Sequence, residues 1–113
     1  MILEEICTYE VCKLAKEKGF NVPTPKNYRH ESGETCNAPT QSLLQRWLRE
    51  EKGVIVEVFV DDDSNMPLTY NIHQYKDWNW ECVCHHHGNY YAINDWELCL
   101  EDALKYALEK LAI

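Results

Sequence analysis

A strict alternation of side chains from Trp78 to His86 constrains the fold more than any other feature of this sequence. One parity carries indoles, thiols and an imidazole, at Trp78, Trp80, Cys82, Cys84 and His86. The other parity carries Asn79, Glu81, Val83, His85 and His87. Because successive side chains of a β-strand point to opposite faces, the alternation predicts a half-buried antiparallel strand. We expect its tryptophans and cysteines to face the core.

The same geometry bears on the run of metal-ligand residue types in residues 82–87. A zinc site needs four ligands that converge on one point, whereas a strand sends alternate members of this run to opposite faces. The cysteines share their face with tryptophans, which favours their packing as small hydrophobic groups. His85 and His87 are the weak metal candidates on the other face, so a small metal-binding protein through residues 82–87 stays an alternative. We predict no metal or other cofactor.

The composition is that of one globular domain spanning residues 1–113, with 45% hydrophobic and 27% charged residues. Residues 1–10 lack the basic start and the long apolar stretch of a signal peptide or a membrane span. We therefore expect reduced cysteines, no membrane association and a cytoplasmic location.

The net negative charge of the chain comes entirely from its second half. Residues 54–113 hold three Lys/Arg and eleven Asp/Glu, which accounts for the whole formal net charge of -8. Such a surface repels phosphate backbones, so a nucleic-acid contact would have to come from the N-terminal helices.

Two helices are predicted in the N-terminal half. Apolar residues recur at helical spacing over residues 2–18, and a glycine ends that pattern. A second helix over residues 40–52 begins at a threonine, which is a good N-cap, and is followed by Gly53. Residues 21–39 are rich in proline and poor in apolar side chains, which predicts a long loop that is functional or mobile.

The rest of the chain is predicted to form a sheet and a third helix. The predicted strands span residues 54–60, 69–75 and 78–86, with a candidate fourth strand at 90–94 and turns at 61–67, 76–77 and 88–89. Residues 100–111 carry a continuous apolar stripe that should cover one sheet face. The predicted fold is therefore α+β: two N-terminal helices joined by a long loop, a three- or four-stranded antiparallel meander, and a C-terminal helix packed on the sheet.

Three segments resemble a known group of proteins. They are residues 9–20 (YEVCKLAKEKGF), 38–53 (APTQSLLQRWLREEKG) and 100–111 (LEDALKYALEKL). Their sequences are similar to those of small uncharacterised proteins from phages and mobile elements of gut anaerobic bacteria. The resemblance implies a phage-related setting in a bacterial host, and it implies no activity or site residue.

A DNA-associated protein is an alternative function. The helix at 40–52 carries Gln41, Gln45, Arg46 and Arg49, which would face a major groove if the two N-terminal helices formed a helix-turn-helix. Such motifs join their helices by about three or four residues, whereas residues 21–39 intervene here. We therefore do not expect nucleic-acid binding.

Catalysis is not expected either. The sequence contains no glycine-rich phosphate loop and no Gly-x-Ser-x-Gly elbow. Cys36 and His30 are a nucleophile and a base by residue type, but they fall in the predicted loop, where we expect exposed side chains without an activating pocket.

Aromatic side chains favour protein recognition instead. Tyr28, Tyr90, Tyr91 and Trp96 exceed what three small helices readily bury, and such side chains are enriched at interfaces. An acidic face with aromatic anchors suits a partner with a basic surface. The sequence therefore predicts a non-enzymatic protein-interaction module.

Overall fold

The computed structural model describes residues 4–61, 67–85, 90–111 and 113, without the side chains of Cys84 and His85. Its elements are α1 (Tyr9–Glu17), β1 (Asn27–Arg29), β2 (Thr35–Asn37), α2 (Gln41–Lys52), β3 (Val54–Val60), β4 (Leu68–Lys76), β5 (Asn79–His85), a 3-10 turn (Ile93–Asp95) and α3 (Trp96–Lys110). Strands β3, β4 and β5 form one antiparallel sheet in that order, and β1 and β2 form a separate pair. The predicted α+β class and antiparallel sheet are confirmed.

The predicted turn at residues 61–67 lies mostly outside the described residues, and the turn at 88–89 lies wholly outside them, as do His86 and His87. The candidate strand at 90–94 is reduced to one bridge, between Leu68 and Tyr91. Within the part of the chain that the structure describes, no helix is long and apolar enough to cross a membrane.

Helix α2 forms where the sequence places it because both of its ends are capped. The Thr40 hydroxyl accepts a hydrogen bond from the Leu43 N–H at 3.2 Å. At the other end, Gly53 adopts the left-handed conformation with φ 63°. A Cβ at Gly53 would lie 3.4 Å from the Cβ of Tyr75, so the end of α2 sits directly against β4.

The first helix begins later than predicted. Residues 4–8 are not helical, because Ile6 bridges to Thr40 and the Cys7 N–H donates to the Pro39 carbonyl at 3.0 Å. Thr8 then caps α1 by accepting from the Val11 N–H at 3.4 Å. Pairing with the start of α2 therefore replaces the first predicted helical turns, and Cys7 is buried all the same.

The predicted long loop at 21–39 contains the β1–β2 hairpin, so the prediction of a loop is wrong for the residues of these two strands. Tyr28 pairs with Cys36 in the hairpin register. The Tyr28 hydroxyl donates to the Cys7 carbonyl at 2.9 Å, and the Lys16 ammonium donates to the Thr35 carbonyl at 2.8 Å. These bonds attach the hairpin to α1 and bury Cys36, which was expected to be exposed.

Helix α3 is the centre of the fold and covers the sheet as predicted. It contacts α1, α2, β3 and β4. The sheet contributes a buried set on the face towards α3, namely Val54, Val56, Leu68, Tyr70 and Ile72. Helix α3 contributes Leu100, Ala103, Leu104, Ala107 and Leu108 to the same core.

Strand β5 confirms the predicted strand, but its tryptophans do not face the core. The register sets Trp80 opposite Tyr75 and Cys82 opposite His73. All four side chains therefore share the sheet face that α3 does not cover. Trp80 is 50% exposed and Trp78, in the turn, is 89% exposed. The expectation that these indoles and the Cys82 thiol pack inward is wrong.

The reason lies in the neighbouring strand. On β4 the side chains that join the core with α3 are those of Leu68, Tyr70 and Ile72. His73 has the opposite parity and faces outward, on the face where Thr69 is the one buried residue of β4. A bulge between Ile72 and His73 shifts the register of β5 and leaves Val83 without a Cα partner. Val83, which was predicted to face outward, packs against the core.

One carboxylate joins the three helices. Glu101 of α3 accepts from the Thr8 N–H at 2.9 Å and from the Thr8 hydroxyl at 2.8 Å. Its other oxygen accepts from the Gln41 amide at 3.0 Å, and the same amide donates to the Glu97 carbonyl at 2.8 Å. Gln41 is only 5% exposed, so this network satisfies a buried polar group between α2 and α3.

We predict that Glu101→Ala lowers the free energy of unfolding by about 2–3 kcal/mol, because the buried Gln41 amide and the Thr8 N–H lose this acceptor. Urea denaturation followed by circular dichroism measures the change. The matched control is Glu109→Ala, on an exposed part of the same helix, for which we expect a change within about 0.5 kcal/mol. Equal losses in the two variants would contradict the role given to Glu101.

Candidate functional site

The metal alternative gains no ligand set from the structure. Among the residues described, no three His, Cys, Asp or Glu side chains are arranged to hold a metal ion. The Cys82 side chain is exposed. The side chains of Cys84, His85 and His87 lie outside the description. The alternative therefore stays a prediction from the sequence.

The four DNA-contact candidates do not form one free polar face. Gln41 is buried in the network around α3, and the Gln45 amide donates to the Val56 carbonyl at 3.0 Å. Arg46 forms an ion pair with Glu50 at 3.0 Å, and Arg49 is exposed. Both glutamines are used to attach α2 to its neighbours, which does not favour the DNA-associated alternative.

Two of the four aromatic candidates are structural. Tyr28 packs edge-on against Tyr9 with ring centroids 5.8 Å apart, and its hydroxyl is bonded to the backbone. Tyr91 is 8% exposed, and its hydroxyl donates to Asp102 at 2.6 Å. Tyr90 is half-buried. Trp96, at 44% exposure, is the candidate that remains clearly accessible.

Two of the buried thiols, those of Cys36 and Cys99, are poor nucleophiles because burial disfavours their thiolate forms. Burial, together with the nearby Asp102 carboxylate, raises the pKa of Cys99 to about 12. Burial also raises the pKa of Cys36, which disfavours the thiolate that a pairing with His30 would require. The His30 ring instead stacks on Tyr9, with centroids 5.6 Å apart.

Two buried acids make the fold sensitive to high pH. Burial and the bond to Asp102 raise the pKa of Tyr91, as burial raises that of Cys99. We predict that stability falls above about pH 9, because the unfolded state then loses protons that the folded state retains. Urea denaturation from neutral to alkaline pH measures this. Cys99→Ala should make the slope shallower, and a profile that is flat or rises above pH 9 would contradict the prediction.

The first exposed apolar surface lies at the start of α3. Ile93 is 63% exposed and Leu98 is 54% exposed, beside the half-exposed Trp96. Two adjoining depressions of about 230 and 210 Å³ lie here, between α3, the start of α2 and the N-terminal segment. We call this surface the acidic groove and define it by Glu4, Glu5, Gln41, Trp96, Glu97 and Leu98.

The charge of the acidic groove has one sign. Glu4, Glu5 and Glu97 are exposed carboxylates, and the residues lining the two depressions include no Lys or Arg. Glu4 accepts a hydrogen bond from Ser42 at 2.7 Å, which attaches the N-terminal segment to α2. The groove thus combines an indole, a leucine and fixed negative charge.

The second exposed surface is the turn between β4 and β5. Asp77 has φ 52° and Trp78 has φ 68°, so both central residues of the turn are left-handed. This conformation costs a residue other than glycine about 1–2 kcal/mol. Tyr75 and Trp80 lie beside the turn, with ring centroids 5.2 Å apart. We call Tyr75, Trp78 and Trp80 the aromatic hairpin.

The strain in this turn gives a direct prediction. Trp78→Gly should raise the free energy of unfolding by about 1 kcal/mol, because glycine adopts a positive φ without penalty and the exposed indole packs against little. Asn79→Gly is the matched control, since Asn79 lies in β5 with a negative φ. The control should be destabilised by about 0.5–1 kcal/mol. Thermal and urea denaturation measure both, and a less stable Trp78→Gly would contradict the strain.

No protein-family model, curated protein or solved structure matches this chain. The functional interpretation therefore rests on the two exposed surfaces and on their charge.

Proposed function

We propose that this protein is a non-enzymatic interaction module that binds a basic, amphipathic segment of a partner protein in the acidic groove. One observation carries the proposal. Exposed Trp96 and Leu98 stand among the carboxylates of Glu4, Glu5 and Glu97, and the described residues that line the groove include no Lys or Arg.

The two parts of the surface have different roles. Burial of the exposed indole and leucine supplies free energy at about 25 cal/mol per Å² of apolar surface. The carboxylates add selectivity and speed, because charge at an interface steers the encounter and excludes partners of like charge. A lysine- or arginine-rich segment with one apolar face satisfies both requirements.

The walls of the groove are held in place before binding. Glu101 bonds to Thr8 beside the N-terminal segment and to Gln41 at the start of α2. A surface that is already ordered loses less conformational entropy on binding. This arrangement supports binding without rearrangement of the helices.

The charge also supports a protein over a nucleic acid as the partner, since exposed carboxylates repel phosphates. The resemblance of three segments to phage and mobile-element proteins leads us to place the partner in the cytoplasm of a bacterial host. A host protein whose basic surface normally contacts nucleic acid fits this proposal.

The test is a titration with a fluorescein-labelled helical peptide of lysine and leucine, with a glutamate and leucine peptide as the negative probe. Trp96→Ala should weaken binding by about tenfold, as expected for an exposed aromatic anchor. Glu97→Lys should weaken it by about threefold or more. Glu109→Lys, at the far end of α3, is the matched control and should retain the wild-type affinity.

Equal affinity for both peptides, or no effect of Trp96→Ala, would refute the proposal. A mobility shift with duplex DNA at two salt concentrations tests the alternative. Tight binding that weakens steeply with salt would favour the DNA-associated function instead.

A further inference from the structure

We infer that the β5 edge and the aromatic hairpin form a second docking site, which takes an extended, arginine- or lysine-bearing strand of a partner protein. The site is separate from the acidic groove and does not rest on it. Three observations lead to it: the unequal edges of the sheet, the exposed aromatic side chains and the local charge.

The two edges of the three-stranded sheet differ. Strand β3 lies beside α2, and the Gln45 amide donates to its Val56 carbonyl at 3.0 Å. Strand β5 pairs with β4 alone among the described strands, and α3 packs over β3 and β4. A seven-residue strand at a sheet edge presents a row of backbone donors and acceptors. A partner strand can add to an edge of this kind.

The aromatic hairpin ends this edge. Trp78 is 89% exposed, so it contributes little to the core, and yet the chain adopts a left-handed conformation at this residue. Natural proteins normally protect an exposed edge with lysine, proline or a covering helix. Here an indole stands at the tip and a second indole, Trp80, lies on the open face beside it. These side chains suit contact with a partner.

The charge around the hairpin selects the partner's side chains. Asp77 and Glu81 are exposed and flank the tryptophans in sequence, and Lys76 is the one Lys or Arg in residues 67–85. A cationic strand added at this edge could stack one cation on an indole of the open face and set another beside Glu81, which the pairing with Gln74 places on the opposite face. A phosphate would be repelled, and a second copy would bring the same carboxylates and the same net charge of -8. A cationic strand is the occupant that this charge favours.

The second site and the acidic groove lie at opposite ends of α2. Gln41, at the first turn, lines the groove, and Gly53, after the last turn, abuts Tyr75. Helix α2 has 12 residues and is therefore about 18 Å long. Variants at one end can accordingly be tested without altering the other.

The test uses a labelled peptide of alternating arginine and valine, with alternating glutamate and valine as the negative probe. Fluorescence anisotropy gives the affinity, and amide hydrogen exchange shows whether β5 gains protection when the peptide binds. Trp78→Gly should weaken binding by about tenfold, the upper range for a cation stacked on an indole. Glu81→Lys should also weaken it, whereas Trp96→Ala should leave it unchanged.

Folding does not confound this test, because Trp78→Gly is expected to melt at a higher temperature than the wild type. Unchanged affinity of Trp78→Gly, equal binding of both peptides, or binding without protection of β5 would each overturn the inference. Protection of β5 that appears without peptide, together with a dimer by light scattering, would assign the edge to a second copy and overturn it as well. Failure of the lysine and leucine peptide to bind would refute the acidic groove alone.

Discussion

The Glu101 carboxylate connects α3 to the start of α1 and to the start of α2. It bonds to the cap of α1 and to the first residue of α2 from within α3. Because Gln41 is buried, its amide needs these acceptors, and the ends of α2 and α3 are held together as a result. The same contacts fix the residues on either side of the acidic groove, so the packing of the helices and the proposed binding surface share one cause.

Helix α3 divides the sheet into a covered and an open face. The covered face supplies the core, with Tyr70 and Ile72 fully buried against the helix. The open face receives the aromatic side chains of Tyr75 and Trp80. Helix α3 covers one face of the three-stranded sheet. The strained turn between β4 and β5 lies at one end of the other face. The molecule therefore presents two surfaces whose exposure does not serve its own folding.

These surfaces differ in how their residues are held. Trp96 lies at the start of a long helix whose position is determined by the core. Trp78 lies in a turn whose backbone would be relaxed by glycine. We expect an exposed apolar side chain at a strained backbone position where it contacts another molecule, because the free energy of that contact offsets the strain. Both surfaces carry carboxylates, which is why we propose a cationic partner for each.

Local rules were sufficient for most elements of the fold. The sequence predicted the strand over residues 54–60, the caps Thr40 and Gly53, and the apolar stripe of α3. Each of these features depends on neighbours within a few residues. The β1–β2 hairpin was not, since strands of three residues are too short to show a period. Among the tryptophans, Trp96 is exposed, as expected from the sequence, whereas Trp78 and Trp80 were assigned to the core and are exposed as well.

The sequence by itself determined where the chain forms helices and strands, and that the side chains of β5 alternate between two faces. Only the tertiary structure decided which face is inner, because that depends on which side of β4 is covered by α3, a contact between residues far apart in the chain. The bulge beside Val83 adds to this, since it changes parity within the strand. The sequence also placed Tyr28 and Tyr91 at the surface. It could not show that their hydroxyls donate to Cys7 and Asp102, because these contacts are formed only when the chain folds.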